Sequence, residues 1–253
     1  MKKLFFILSL SLSLIFVISG CANPNLTNAT VKSAQALMIT DAQIEQITND
    51  YIQQSDRENI VCSNSNPTQK KYNDRMTKII GNAGTLNGKK LDIKVYLSPV
   101  QNAFACANGS IRVYSGLMDI MSDDEIFAIM GHEIGHIANK DTKNAFQQAL
   151  ITSALIDVAG ATSTKVAKFT DSELRQLGEA LAGAQFSQRQ EYAADDYGYN
   201  FLKKNGKNPK AMASSLNNLQ KLFNSSTVDK SKIRQLFSTH PDIPNRIKRL
   251  EKK

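Results

Sequence analysis

The 253-residue sequence contains no tryptophan, only three cysteines, three histidines and six prolines. Three cysteines exclude a dense disulfide scaffold and a four-cysteine zinc site. Past the first twenty residues, no apolar run approaches the roughly 20 residues that a membrane-spanning helix requires. The segment from Ala145 to Ala161 comes nearest, but Asp157 and the Gln147–Gln148 pair interrupt it. It reads as a buried or surface-adherent helix, with a mobile break from Gly160 to Lys165. No internal repeat is present, which excludes a solenoid. With 21% charged and 42% hydrophobic residues, wholesale disorder and collagen-like structure are excluded as well. The length suits one domain with a small appendage.

What is present begins at the N-terminus. Lys2 and Lys3 precede an apolar stretch from Leu4 to Ile18, the pattern of a secretory signal peptide. Ile18-Ser19-Gly20-Cys21 resembles a bacterial lipobox, so residues 1–20 are expected to be cleaved and Cys21 lipidated (palmitate). An uncleaved anchor is the alternative. Ala22 after Cys21 resembles outer-membrane sorting, which points to the periplasmic face of the outer membrane if the cell has two membranes. Residues 21–39 read as a flexible tether, and 40–253 as the folded domain. Cleavage removes Lys2 and Lys3 and no acid, lowering the net charge from +8 to +6. The basic residues are scattered apart from a C-terminal cluster, and no nucleic-acid motif is present, so no nucleic-acid partner is expected. Cys62 and Cys106 remain; in an oxidising compartment they are expected to form one disulfide, the alternative being two free buried thiols.

The domain reads as α+β. Thr40 with Gln43, and Ser122 with Glu125, are capping boxes that open helices. Ile44, Ile47, Tyr51 and Ile52 share one helical face, as do Tyr72, Met76, Ile79 and Ile80. Leu91, Ile93, Val95 and Leu97 alternate with polar residues and predict a half-buried strand. Ile111–Tyr114 predicts a second strand after an Asn108-Gly109 turn. From Ser122 onward nearly everything reads as helix, with Pro209 and Pro244 at helix starts.

Two of the three histidines lie in His132-Glu133-Ile134-Gly135-His136, inside a predicted helix. At i and i+4 they share one face, where both can bind one zinc ion. Glu133 adjoins the first histidine, where its carboxylate can take a proton from water at the metal as general base. A third ligand is needed, and no third histidine follows at the right spacing. Glu173, Glu179 and Glu191 are the candidates. Glu191 is preferred because Asp195 lies one turn later on the same face, where it can accept a proton from a ligand histidine's other nitrogen. His240 precedes Pro241, which biases it to extended backbone. It is either a surface histidine or an oxyanion donor held beside the metal.

These motifs together resemble the M48 family of zinc metallopeptidases, in its periplasmic lipoprotein branch. The likeness spans about residues 90–250 and rests on Asn102-Ala103-Phe104-Ala105, Ser115-Gly116-Leu117, Gly131–His136, Glu191–Asp195 and Thr239-His240-Pro241 ending in Arg246. The resemblance implies a mostly helical, zincin-like (gluzincin) domain whose small sheet presents an edge strand to the active site. It further implies His132, His136 and Glu191 as zinc ligands and Glu133 and His240 as catalytic residues, with Asp195 and Arg246 in support. It implies that the strand at 111–114 is the exposed edge, where an extended substrate adds by strand pairing near Asn102, Ala103, Ile111 and Val113. The expected activity is endoproteolysis of unfolded or misassembled envelope proteins. A zinc-containing chaperone or assembly factor, working with the envelope assembly machinery, is the alternative. A departure from the family pattern at Cys106-Ala107-Asn108 suggests that a bond to Cys62 would tie down the substrate-side loop.

Overall fold

A computed structural model describes residues 39–153, 155, 169–225 and 229–253. The signal peptide, Cys21, nearly all of the tether and the expected break at 160–165 lie outside the described residues. No described helix is long and apolar enough to cross a membrane.

The described residues open with helix α1 (Asp41–Glu58) and helix α2 (Pro67–Ile80). Both reciprocal bonds of the Thr40–Gln43 capping box form at the start of α1. Ile44, Ile47 and Ile52 are buried as their spacing predicts, and Tyr51 is half-buried. A two-stranded ribbon, β1 (Thr85–Leu86) with β2 (Lys89–Lys90), leads into the main sheet. That sheet has three strands: β3 (Asp92–Tyr96), β4 (Ala103–Ala105) and β5 (Ser110–Tyr114). Their spatial order is β3-β5-β4, with β3 and β5 parallel and β4 and β5 antiparallel. The turn between β4 and β5 uses Asn108, whose side chain accepts from Ser110 N–H, and Gly109 at φ +91°.

This order corrects one expectation. The strand at 110–114 is the centre of the sheet, and Ile111 and Val113 are fully buried. The edge facing the site is β4. Hairpin formation brings β4 against one side of β5 while β3 occupies the other, so β5 has no free edge. Ile111 and Val113 therefore serve the core and do not meet substrate.

The sheet is also covered on both faces. Val95, Ala103, Ile111 and Val113 join the main apolar cluster with residues of α2. The other face, which looks polar in the sequence, is the seat of α1. Arg112, fully buried, donates twice to the Asp56 carboxylate, at 2.8 and 3.0 Å, and to both the carboxylate and the backbone carbonyl of Asp92, each at 2.7 Å. Tyr96 donates to Asp56 at 2.8 Å. Along β3 the polar face turns inward only at Tyr96, while Lys94 is half-buried and Asp92 stays exposed.

The pairing of Cys62 with Cys106 is corrected as well: both are free, buried thiols. Residues 60–62 run beside the outer edge of β3, with Cys62 N–H donating to Val95 O at 2.8 Å. Cys106 follows β4 on the opposite edge. Three strand spacings separate them, roughly 14 Å, whereas a disulfide tolerates at most about 7 Å between Cα atoms. Burial raises both thiols, Cys106 to about 12.

After β5 the chain is helical: α3 (Ser115–Met118), α4 (Asp123–Ala138), α5 (Asp141–Thr152), α6 (Asp171–Gly183), α7 (Gln188–Lys204), α8 (Ala211–Asn224), α9 (Arg234–Thr239) and α10 (Ile243–Leu250). Helix α4 runs through the middle of the molecule and is buried from Glu125 to His136. On one side, α2, α7, α8 and α10 complete the main cluster with it. On the other, α1, α5 and α6 pack around a second apolar cluster that includes Phe146, Leu150, Leu177 and Cys106. The site lies between the two.

Candidate metal centre

Helix α4 starts at the Ser122–Glu125 capping box, whose two reciprocal bonds both form. Its three first-turn acids suit the positive end of the helix dipole. Helix α7 starts at an analogous box, Ser187 with Gln190. The two helices cross where each is stripped of side chain. A Cβ on Gly135 would lie 2.9 Å from Tyr197 Cβ and 3.0 Å from Ala194 Cα. One on Gly198 would lie 3.1 Å from the backbone nitrogen of His132. Glycine at these points lets the backbones nearly touch, and that close approach sets Glu191 and Asp195 against the two histidines.

Four donor atoms converge there. His132 Nε2 is 3.1 Å from His136 Nε2 and 3.3 Å from His240 Nδ1. Glu191 Oε1 is 3.1 Å from His240 Nδ1 and 3.5 Å from His136 Nε2. All four residues are buried. A tetrahedron of ligands about 2.0–2.1 Å from a central ion has edges of roughly 3.3–3.4 Å, so these separations fit a single metal ion. The local charge fits it too. Glu133, Asp141, Glu191 and Asp195 are all buried, against one buried guanidinium, that of Arg246. A divalent cation offsets this excess of carboxylate.

His132, Glu191 and His136 are each held from behind. His132 Nδ1 meets Asp195 Oδ1 at 2.9 Å, which leaves Nε2 as the free donor. Arg246 grips Asp195 with two hydrogen bonds, at 2.9 and 2.6 Å, and its Nη1 closes on Glu191 Oε2. His136 Nδ1 meets Asp141 Oδ2 at 2.9 Å, and Gln190 donates to the other oxygen of Asp141, also at 2.9 Å. The Phe186 ring stacks on His136 at 3.9 Å between centroids.

Burial pushes His136 down, but its bonds to Asp141 and Glu191 outweigh this and hold it up at about 9. Burial lowers His132, with Asp195 opposing. For Glu191, burial works upward, yet His240, His136 and Arg246 hold it far below the usual carboxylate range. Glu191 is therefore a carboxylate at any physiological pH.

The sequence-predicted residues thus fall into three groups. His132, Glu133, His136, Glu191, Asp195, His240 and Arg246 come together. His240 turns Nδ1 toward the other donors, while its Nε2 is 3.7 Å from Glu133 Oε1. Asn102 and Ala103 are buried beside them and line the same pocket as Glu133. Ile111 and Val113 lie apart, in the core. Asp141 and Phe186 were not legible in the sequence. Asp141 stands five residues past His136, outside helical spacing, and reaches it because Lys140 at φ +63° turns the chain back. Phe186 lies in the short link between α6 and α7, where no periodicity applies.

Comparison with known proteins agrees with this geometry. The sequence model of peptidase family M48 matches residues 67–253. Metalloprotease LoiP of Escherichia coli is 37% identical over 238 residues, covering 92% of this chain and 90% of its own. Metalloprotease YcaL of the same organism is 32% identical over 237 residues, covering 91% and 89%. A protease HtpX homolog of Salinibacter ruber is 28% identical over 178 residues, covering 59% and 63%. The helix crossing, the buried donor set and these likenesses lead to one conclusion: the chain belongs to peptidase family M48 and is a metalloprotease.

Proposed function

We propose that this metalloprotease is a zinc-dependent endopeptidase of the bacterial cell envelope, cutting unfolded or misassembled envelope proteins. The observation that carries this reading is the buried set of donors, with Glu133 beside it, opening onto the free edge of β4. His132, His136 and Glu191 are the proposed zinc ligands, and three imidazole or carboxylate donors suit zinc. Bound zinc supplies a Lewis acid and lowers the pKa of water at the site.

The protein does the rest. Glu133 takes a proton from the attacking water and returns it to the leaving amine. His240 donates to the oxygen on which charge develops. Asp195 and Asp141 hold the two ligand histidines in the tautomer that leaves Nε2 free, and Arg246 keeps Asp195 and Glu191 charged and in place. Substrate is held as an added strand on β4. In the antiparallel ladder, Asn102 and Cys106 bond to β5, so the peptide groups of Ala103 and Ala105 point to the free edge. Backbone pairing of this kind reads extended conformation and little sequence, as suits unfolded chains. Location in the envelope follows from the signal peptide and lipobox; Cys21→Ser is expected to move the protein from the membrane to the soluble fraction.

The test is cleavage of an unfolded protein by the zinc-loaded mature chain. Glu133→Gln is expected to lower kcat by about 10³-fold or more, and equal rates would sink the mechanism. His240→Ala is expected to lower kcat by about 10²-fold with little change in KM. A rise would mean instead that the imidazole blocks the fourth metal position. One feature favours the alternative of a chaperone or assembly factor with latent proteolysis: Glu133 and His240 are only 4% and 6% exposed. Rescue of a deletion strain by Glu133→Gln would decide for that alternative.

A further inference from the structure

Charge is spread unevenly along this chain. Residues 197–253 hold thirteen lysines and arginines against three acids, a net of +10, whereas residues 21–196 hold sixteen against twenty, a net of −4. From Tyr197 to Val228 there are five lysines and no acid. The reaction centre engages only Arg246 of these thirteen cations, so proteolysis leaves the rest without a role.

The fold gathers several of them around one groove. It is about 800 Å³ in volume and lies between the C-terminal ends of α7 and α10 and one face of α8. Lys210, Lys221, Lys253, Tyr199, Asn217 and Glu251 are among the residues that line it. Lys203 of α7 adds a fourth ammonium: it and Lys253 lie 5.9 and 5.0 Å from the centre of the Tyr199 ring. Lys253 shares Asp196 with Arg249, and Lys207 pairs with Asp124 at 3.0 Å. Lys203, Lys204, Lys210 and Lys221 are exposed and have no ion-pair partner among the described residues. The one acid lining the groove, Glu251, accepts a hydrogen bond from Asn217 at 3.3 Å. The groove therefore faces solvent with an excess of positive charge.

We infer that this basic groove docks the protein on the anionic headgroups of a phospholipid bilayer, as a second contact beside the lipid expected on Cys21. The inference rests on the envelope location proposed above. Residues 21–38 separate Cys21 from the described domain, and fully extended they span up to roughly 60 Å. A link of that length keeps the domain near the bilayer without choosing the face that meets it. Charge makes the choice, because each lysine held close to an anionic surface strengthens attachment about fivefold. The unpaired cations are all lysines, point charges on flexible stems. They suit a fluid array of phosphates better than one anion gripped at two oxygens. Helix α7 sets the orientation. Glu191 and Lys203 are twelve residues apart on it, roughly 18 Å along its axis. Docking through the C-terminal end of α7 therefore sets the metal centre toward the other end, off the headgroups and open to unfolded chains.

The test is vesicle co-sedimentation of the zinc-loaded mature chain carrying Cys21→Ser, which removes any lipid on that residue. This chain is expected to bind vesicles that contain phosphatidylglycerol and not vesicles of phosphatidylcholine alone. Affinity should fall by about tenfold or more between about 0.05 and 0.5 M salt. Lys210→Gln combined with Lys221→Gln should weaken binding by about 25-fold. Lys89→Gln combined with Lys90→Gln removes the same charge from the exposed β1–β2 ribbon and should change it by less than about twofold. No binding, equal binding to both kinds of vesicle, or an equal loss in both double variants overturns the docking face. Competition by inorganic phosphate at constant ionic strength overturns it in favour of a discrete phosphate site, and binding to peptidoglycan sacculi in place of vesicles overturns it in favour of the cell wall. None of these results touches the reaction centre or the envelope location, which Glu133→Gln and fractionation of Cys21→Ser test separately.

Discussion

The chemistry is concentrated in a few buried charged residues, most of them held by a named partner. Asp141 illustrates how narrow the arrangement is. Among the described residues it alone holds the far nitrogen of His136, and Gln190 holds Asp141 in turn. Asp141→Asn keeps the size of the side chain but weakens the acceptor. It is expected to lower zinc affinity by about 10–100-fold, measured by competition with a chromophoric chelator. The paired residues His132 and His136 were legible because helical spacing forces i and i+4 onto one face. Asp141 was not, because its reach depends on one left-handed residue, Lys140, which no side-chain pattern announces. Glu191 could be ranked above Glu173 and Glu179 only through its partner Asp195, one turn away. Its contact with His136 depends on where α7 crosses α4.

That crossing is the decisive feature among the elements. A glycine such as Gly135 inside a helix costs roughly 1 kcal/mol against alanine. In the fold it is the point where α4 and α7 approach, and the missing Cβ is a packing requirement. Gly135→Ala, although it improves local propensity, must push Tyr197 and Ala194 away. It is expected to destabilise the protein by about 1–3 kcal/mol and to weaken metal binding by drawing Glu191 off the histidines. Urea unfolding of the metal-free protein measures the first effect, and chelator competition the second. The capping boxes at Thr40 and Ser122 are local and could be read directly. The rank of the strands could not. Ile-Arg-Val-Tyr at 111–114 has the composition of either an edge or a central strand, and only the return of β4 onto it decides.

Over the whole molecule, the reaction centre is set between two apolar clusters; α1 belongs to the second and is anchored to the sheet. Its anchor is Asp56, on which Arg112, Tyr96 and Lys94 converge. Burial alone would raise the Asp56 pKa, but these hydrogen bonds prevail and lower it beneath its ordinary value near 3.8. A carboxyl lowered in the folded state contributes stability that is present above its unfolded value and lost as pH falls through the folded value. The contribution of Asp56 is therefore complete above about pH 5 and fades below about pH 4. Asp56→Asn strands the fully buried Arg112 with Asp92 as its only carboxylate. It is expected to cost about 2–4 kcal/mol near neutral pH, with the gap to wild type narrowing below about pH 4. Chemical denaturation across pH measures both.

By itself, the sequence determined the family and the mostly helical class, and it nominated His132, Glu133 and His136 of α4 with Glu191 and Asp195, which the fold brings together. These follow from short-range rules of helical spacing, capping and motif, which act within a turn or two of chain. The tertiary structure alone decided that β4 and not β5 is the open edge, that Cys62 and Cys106 stand on opposite edges of the sheet, and that Asp56 of α1 meets Arg112 on the sheet. Each of these depends on which distant segments come to lie side by side, and the free energy that selects the pairing is shared across the whole core.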